Sequence, residues 1–391
     1  MHFDFDTVIE RHGTDSAKFD FAVENGYPAD VLPLWVADMD FQAPPCVVEA
    51  LKKRVEHGIF GYTGLKDDYF EAIAGWFRRR FDWKLEKEWL VTTPGVVFAL
   101  SAAVRVMTEP GDAVLVQTPV YYPFYRVIEN NDRRIVENPL RYEKGRYTVD
   151  FEDFERKLAD EKVKLFILCS PHNPICRVWT EEELRKVGAL CEKYGVQVVA
   201  DEIHCDFALP GYTHTPFLKA CPELAERTLI CTAPSKTFNL AGLQVSNILI
   251  PGEKLRAAYQ KEMDRISYHG PNCLAVTACK AAYREGDEWL DACKAYMLEN
   301  LGLVRAFLAE YLPMIRLVEP EGTYFAWLDC SGLGLTAEKL EELIVHKAGL
   351  WLDSGAIFGK SAEQFQRVVL ACPRATLTRA LEKLRDAVQN L

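Results

Sequence analysis

The chain has no C-x-x-C pair and no H-x-x-x-H pair among its 391 residues. That removes the usual spacings of structural zinc sites, dithiol redox centres and helical metalloprotease sites. No apolar run approaches the roughly 20 residues that cross a bilayer as a helix. The opening stretch Met1-His-Phe-Asp-Phe-Asp is acidic where an export signal would be basic and then apolar. Basic charge is also short: 46 Lys and Arg against 57 Asp and Glu leave a net charge of -11. Nucleic acid and anionic membranes would repel such a chain, so neither is an expected partner. Internal repeats, low-complexity tracts and Gly/Ser linkers are missing too. The expectation is a cytoplasmic globular protein without a metal.

Hydrophobic residues make up 49% and charged residues 26%, the balance of a chain able to bury a sizeable core in two domains. The twelve cysteines are scattered, and Cys169, Cys191, Cys205 and Cys231 lie in or beside apolar runs. They read as small buried hydrophobes in the reduced state.

The middle of the chain alternates strands and helices. Asp112-Ala-Val-Leu-Val-Gln-Thr and Val163-Lys-Leu-Phe-Ile-Leu-Cys read as strands. Thr180 opens a helix with Glu183 three residues on as a capping box, and Leu184, Val187, Leu190 and Cys191 recur at helical spacing up to Gly195. Val196-Gln-Val-Val-Ala and Thr228-Leu-Ile-Cys are further buried strands. This alternation predicts an α/β fold with a mostly parallel sheet flanked by helices, and a ligand at the carboxyl ends of the strands. Asn173, Asp201 and Lys236 each follow or end one of these strands, so all three gather along one edge. From about residue 290 the pattern changes to long amphipathic helices (291–310, 336–348, 375–391) and short strands such as Ile315-Arg-Leu-Val. The expected division is a large domain over 46–288, and a smaller α+β domain made of 1–45 together with 289–391.

Lys236, in Thr232-Ala-Pro-Ser-Lys-Thr-Phe-Asn, leaves a buried strand among small and hydroxylated neighbours. A lysine that loses solvation there has an accessible neutral amine, which condenses with an aldehyde. An aldehyde cofactor built on a pyridine ring with a phosphate needs further groups. A carboxylate keeps the ring nitrogen protonated, and Asp201 at the end of Val-Val-Ala-Asp could serve, or could be a helix or turn cap. Asn173 in Ser170-Pro-His-Asn-Pro could donate to a ring hydroxyl, or merely mark a turn. The Gly95 turn entering an apolar helix could hold the phosphate on backbone N–H groups, or be only a turn. Tyr121 in Pro119-Val-Tyr-Tyr-Pro could cover the ring, or pack in the core.

Taken in order, these elements resemble the fold-type-I pyridoxal-phosphate enzymes of the aminotransferase class I/II superfamily. The similarity is strongest to the cystathionine β-lyase (C–S lyase) branch of the MalY/PatB type. It is carried by Leu34-Trp-Val-Ala-Asp-Met-Asp-Phe, Ser170-Pro-His-Asn-Pro, Asp201-Glu-Ile-His-Cys-Asp, Ala233-Pro-Ser-Lys-Thr-Phe-Asn and Ala371-Cys-Pro-Arg. The resemblance implies pyridoxal 5'-phosphate held covalently by Lys236, which later moves the Cα proton. It implies Asp201 at the pyridine nitrogen, Asn173 at the ring hydroxyl and Tyr121 stacked on the ring. Gly95, Val96, Val97 and Ser235 would hold the phosphate, with His204 as a further cofactor contact. Arg367 would bind the substrate carboxylate, assisted by Ala37, Asn173 and Tyr121. Tyr62, in Gly61-Tyr-Thr-Gly, would reach the phosphate of a partner subunit, which implies a homodimer with shared active sites.

Four positions depart from the family pattern. Cys176 replaces a glycine after Asn-Pro-x, so the loop there is expected to differ. Gln244 stands where many relatives carry arginine, and Val369 replaces an asparagine near Arg367. His204 stands where transaminases usually have tyrosine, and either points to the lyase branch or is a satisfied core histidine. The implied reaction is α,β-elimination from L-cystathionine or a related L-cysteine thioether, giving a thiol, pyruvate and ammonia. An aminotransferase and a cofactor-binding regulatory protein that acts through a protein partner are the alternatives.

Overall fold

Short apolar runs without polar alternation form strands buried on both faces, which the computed structural model, describing residues 3–159 and 162–391, places at the centre of one sheet of seven strands. They are β1 (Leu90–Thr93), β2 (Ala113–Thr118), β3 (Arg134–Pro139), β4 (Val163–Cys169), β5 (Gln197–Asp201), β6 (Thr228–Thr232) and β7 (Ser246–Leu249). Their order across the sheet is β1-β7-β6-β5-β4-β2-β3. Neighbours from β6 to β3 run parallel, and β7 is antiparallel to both β6 and β1. The mostly parallel sheet is as expected, with one reversed strand.

Period-two alternation explains why the central strands are apolar on both faces. In β2, Ala113 and Leu115 enter the core on one face, while Val114 and Val116 enter the core on the other. Ile230 and its neighbours Leu229 and Cys231 divide in the same way in β6. Helix Val96–Met107 is apolar on nearly all sides because it is sandwiched: Tyr259 from the next layer donates to the Ala99 carbonyl at 3.1 Å. Helix Glu181–Tyr194 has the anticipated capping box. The Thr180 hydroxyl accepts from the Glu183 amide at 3.1 Å, the Glu183 carboxylate accepts from the Thr180 amide at 2.9 Å, and Gly195 at φ +67° ends the helix.

A second, antiparallel sheet has the order β8-β9-β11-β10, from β8 (Arg316–Val318), β9 (Phe325–Asp329), β10 (Asp353–Ser354) and β11 (Phe365–Val369). Helices Asp287–Tyr311 and Arg374–Gln389 cover it through Leu301, Val304, Leu308, Leu377, Leu381 and Leu384. The helix expected over 336–348 is not uniform. An α-helical segment, Ala337–Glu342, passes into a π-helical turn at Leu343–Lys347. Leu343, Ile344 and Val345 are all buried, the first two in the core beneath the second sheet, and the wider turn accommodates three successive buried residues.

The N-terminal stretch joins this second sheet's layer, with Leu32–Pro33 pairing in parallel with Leu350–Trp351. Among the described residues no helix is long and apolar enough to cross a membrane, and no His/Cys/Asp/Glu cluster suits a metal ion. All twelve cysteines are free thiols, and Cys169, Cys191, Cys205 and Cys231 are buried as expected.

Candidate active site

The carboxyl ends of the parallel strands converge on a cavity of about 210 Å³. Strand β6 ends at Thr232, and Lys236 follows on the single helical turn Pro234–Thr237. Its Nζ donates to the Ala37 carbonyl at 2.7 Å. Withdrawal from water lowers this amine to about 8, the Asp38 charge opposing and the Arg367 charge adding to the effect. The turn is pinned from beneath. The Thr237 hydroxyl donates to Asp206 at 2.6 Å, and the Trp76 indole donates to the same buried carboxylate at 3.0 Å. Asn239 then ties the turn to the N-terminal stretch, accepting from the Met39 amide at 3.0 Å and donating to the Met39 and Phe41 carbonyls at 2.8 and 3.0 Å.

One strand over, β5 ends on Asp201. Its carboxylate is buried and accepts from the Ile203 amide at 3.2 Å. Burial pushes the group up to about 7, against the pull of the positive Lys236. An acid and a base with displaced titration thus border one cavity, a pattern common at catalytic sites.

The strand β1 edge supplies Gly95 and the start of helix Val96–Met107. The first amides of a helix have no partner within it and favour an anion. Gly95 is extended (φ 176°), and a Cβ there would meet nothing within 4 Å, so the residue leaves space at the cavity rather than satisfying packing. From β4, Asn173 accepts from Arg367 Nη1 at 2.7 Å through its Oδ1, which leaves its amide nitrogen to donate. Tyr121 comes from the loop after β2, and burial pushes its hydroxyl up.

Ten expected residues line this cavity together: Ala37, Gly95, Val96, Val97, Tyr121, Asn173, Asp201, His204, Ser235 and Lys236. His204 is not a satisfied core histidine. It is buried with Nδ1 unpartnered, its ring edge-on to Phe325 at 5.3 Å and Tyr324 at 5.5 Å, and burial keeps it neutral, well below the usual imidazole range. Arg367 stands one residue away, joined to the cavity through Asn173. It is buried in β11 and donates to the Trp35 carbonyl at 2.9 Å and to Asp353, and its guanidinium lies over Phe325 at 4.4 Å and Phe358 at 5.0 Å. Tyr62 is fully exposed, and no part of it reaches this chain's own cavity.

The departures resolve unevenly. Cys176 adopts φ +60°, the left-handed conformation that glycine favours. The loop therefore keeps a glycine-like backbone, contrary to the expectation, while its thiol contacts the Pro174 carbonyl at 3.2 Å. Gln244 is exposed, also left-handed at φ +56°. Val369 is buried in the core. Several residues that shape the site escaped sequence reasoning. Asp206 and Asn239 lie inside the segments Asp201-Glu-Ile-His-Cys-Asp and Ala233-Pro-Ser-Lys-Thr-Phe-Asn, so only their roles were missed. Tyr324, which donates to the Ala37 carbonyl at 3.1 Å, and Asp353 carry no signal in their local sequence.

The model of the family described as "Aminotransferase class I and II" matches residues 29–384. The chain is 46% identical to cystathionine beta-lyase PatB of Bacillus subtilis, covering 98% of this chain and 99% of that protein. It is 33% identical to protein MalY of Escherichia coli over 99% of both chains. Its structure superposes on cystalysin of Treponema denticola, whose crystal contains a pyridoxal 5'-phosphate cofactor, with a TM-score of 0.96 at 38% identity over all of both chains. With its α/β fold, its cavity at the strand ends and matches of this length, the chain belongs to the aminotransferase class I and II family.

Proposed function

We propose that this chain is a pyridoxal-phosphate-dependent carbon–sulfur β-lyase. It would cleave L-cystathionine or a related L-cysteine thioether, with water, to a thiol (homocysteine from cystathionine), pyruvate and ammonia. The observation that carries the proposal is the pair Lys236 and Asp201 on one cavity, together with the helix start at Gly95 and Val96. The full-length likeness to PatB, which is named a cystathionine beta-lyase, supports the choice of reaction.

The donor set fits the cofactor. Asp201 is a buried carboxyl without a cationic hydrogen-bond partner, and a protonated ring nitrogen would supply the charge that favours its ionised form. The amide of Asn173 suits the ring hydroxyl, the Tyr121 ring a stacking face, and the first amides of the helix from Val96, with Ser235, a phosphate. The neutral, half-unpartnered His204 suits a further polar contact. When bound, pyridoxal phosphate supplies an electron sink that acidifies the Cα of an attached amino acid. Lys236 then has two tasks, to bind the aldehyde and, once freed, to take the Cα proton. An amine lowered to about 8 is neutral in an appreciable fraction near physiological pH, as both tasks require. Arg367 would bind the α-carboxylate, with Ala37 beside it.

The exposed stretch around Tyr62, with Ile59, Phe60 and Leu65 also exposed, supports a homodimer in which Tyr62 completes the partner's site. Two separate sheets with their own helices support a large domain over 46–288 and a second made of 1–45 with 289–391. Twelve unpaired cysteines suit the cytoplasm.

The test is pyruvate release from L-cystathionine without any keto acid. A β-lyase gives stoichiometric thiol and pyruvate. Turnover that strictly requires a keto-acid acceptor would identify an aminotransferase.

A further inference from the structure

Asp353 and Arg367 face each other as cross-strand partners on β10 and β11. Both are buried, at 6% and 2% side-chain exposure, and their side chains form an ion pair. The rest of the guanidinium is partly engaged: Nη1 donates to Asn173 at 2.7 Å, Nη2 also donates to the Trp35 carbonyl at 2.9 Å, and the buried Nε has no partner. A planar fork binds a carboxylate best through two parallel N–H groups, and Asp353 takes part of that capacity.

What marks Asp353 out is how lightly it is held. The structural carboxylates of this protein are gripped by several donors. Asp40 takes Arg11 at 2.7 Å and Lys18 at 2.9 Å, and Glu321 takes Arg177 at 2.7 Å and the Val178 amide at 3.0 Å. Asp353 has Arg367 and no second hydrogen-bond donor among the described residues. Its neighbour Glu341 is a second acid whose charge opposes its ionisation. Arg367 donates to Asn173, which lines the cavity, so the pair is one residue removed from the site.

We propose that Asp353 is a placeholder for the substrate's α-carboxylate, occupying and orienting Arg367 in the free enzyme and setting, by its charge, how tightly the amino acid binds. The inference rests on Arg367 being the carboxylate-binding residue of the proposed lyase. A buried guanidinium without a counter-ion is costly, and Asp353 removes that cost before substrate arrives. Once an amino acid is bound, two carboxylates share one guanidinium, and their repulsion weakens the complex. Asp353 thereby trades affinity for a preformed site and keeps the enzyme from being saturated by every α-amino acid present.

The test uses the holoenzyme with D353N, D353S and R367K. Glycine, which carries the α-carboxylate but no Cβ leaving group, is the binding probe, and its dissociation constant is read from the concentration dependence of the melting temperature. Both neutral variants should melt below wild type without ligand, bind glycine about tenfold more tightly, and lower KM for L-cystathionine more than they change kcat. R367K should weaken glycine binding. If D353N and D353S bind glycine no more tightly than wild type while R367K binds it worse, the placeholder role is wrong although the Arg367 assignment stands. If R367K binds glycine like wild type, Arg367 is not the carboxylate site and the proposal falls with it, whereas continued pyruvate release would leave the lyase assignment intact. Failure of both neutral variants to fold would make Asp353 a structural ion-pair member and overturn the proposal as well.

Discussion

Asp201→Asn separates the demands of folding from those of catalysis. Burial raises the Asp201 carboxyl from 3.8 to about 7 in the protein without cofactor. At about 1.4 kcal/mol for each tenfold change in proton affinity, a rise from 3.8 to about 7 sets an upper bound of about 4 kcal/mol on the destabilisation this anion causes. Because the folded-state value lies above the unfolded one, the folded protein binds more protons between about pH 4 and pH 7, and stability falls as pH rises through that window. The penalty is complete above pH 7 and absent below about pH 4. Asparagine keeps the shape and can still accept from the Ile203 amide, which lies 3.2 Å from the wild-type carboxylate, but it carries no charge. After allowance for local relaxation, the cofactor-free D201N protein should be more stable than wild type by about 2 kcal/mol at pH 8, and by visibly less at pH 5. Urea unfolding followed by circular dichroism at the two pH values measures both differences. The same substitution should lower pyruvate release by the loaded enzyme by at least about a hundredfold, because a neutral amide cannot hold a ring nitrogen in its protonated form. A D201N protein no more stable than wild type at pH 8 would show that the buried charge carries no such penalty, and one that turns over at the wild-type rate would remove Asp201 from the ring nitrogen.

Lys236→Ala should cut pyruvate release from L-cystathionine by roughly a thousandfold or more while the circular dichroism spectrum stays native. In wild-type apoprotein the rate of cofactor uptake, followed by absorbance, should climb with pH toward about 8 and then level off, since burial holds the Lys236 amine there and only its neutral form attacks the aldehyde; a flat rate from pH 6 to pH 9 would contradict this. Asp206→Ala strands two buried donors, the Trp76 indole and the Thr237 hydroxyl, and should cost about 2–5 kcal/mol in urea unfolding together with a loss of activity, because the same contacts seat the Lys236 turn. Mixing inactive Tyr62→Ala and Lys236→Ala proteins under conditions that exchange subunits should restore about a quarter of wild-type activity, through the one intact site in each mixed dimer; no recovery would remove Tyr62 from the partner's site.

Much of the large domain was legible because its signals are local. Buried strands show as unbroken apolar runs, the helix after Thr180 announces its own cap, and the rule that ligands sit at strand ends places Asn173, Asp201 and Lys236 on one edge before any coordinates are known. The helix expected over 336–348 was legible in position but not in form, since three successive buried residues demand a turn wider than the one that amphipathic spacing assumes. Cys176 shows the opposite case. Its identity argued for an altered loop, yet the surrounding packing holds it at φ +60°, so context overrode preference.

The order of residues alone sufficed to locate four strands of the large sheet, the edge at which the cavity lies, and the amine and acid that border it. The strands follow from hydrophobic period and the edge from strand termini, which are properties of neighbouring residues, while the amine and acid follow from the motifs around Lys236 and Asp201 that carry the family resemblance. It took the packed fold to leave His204 Nδ1 without a partner, to fix the lysine turn through Asp206 and Asn239, and to share Arg367 between Asn173, Trp35 and Asp353. Those contacts join residues far apart along the chain, and both their strength and their charge balance depend on how completely the fold removes them from water.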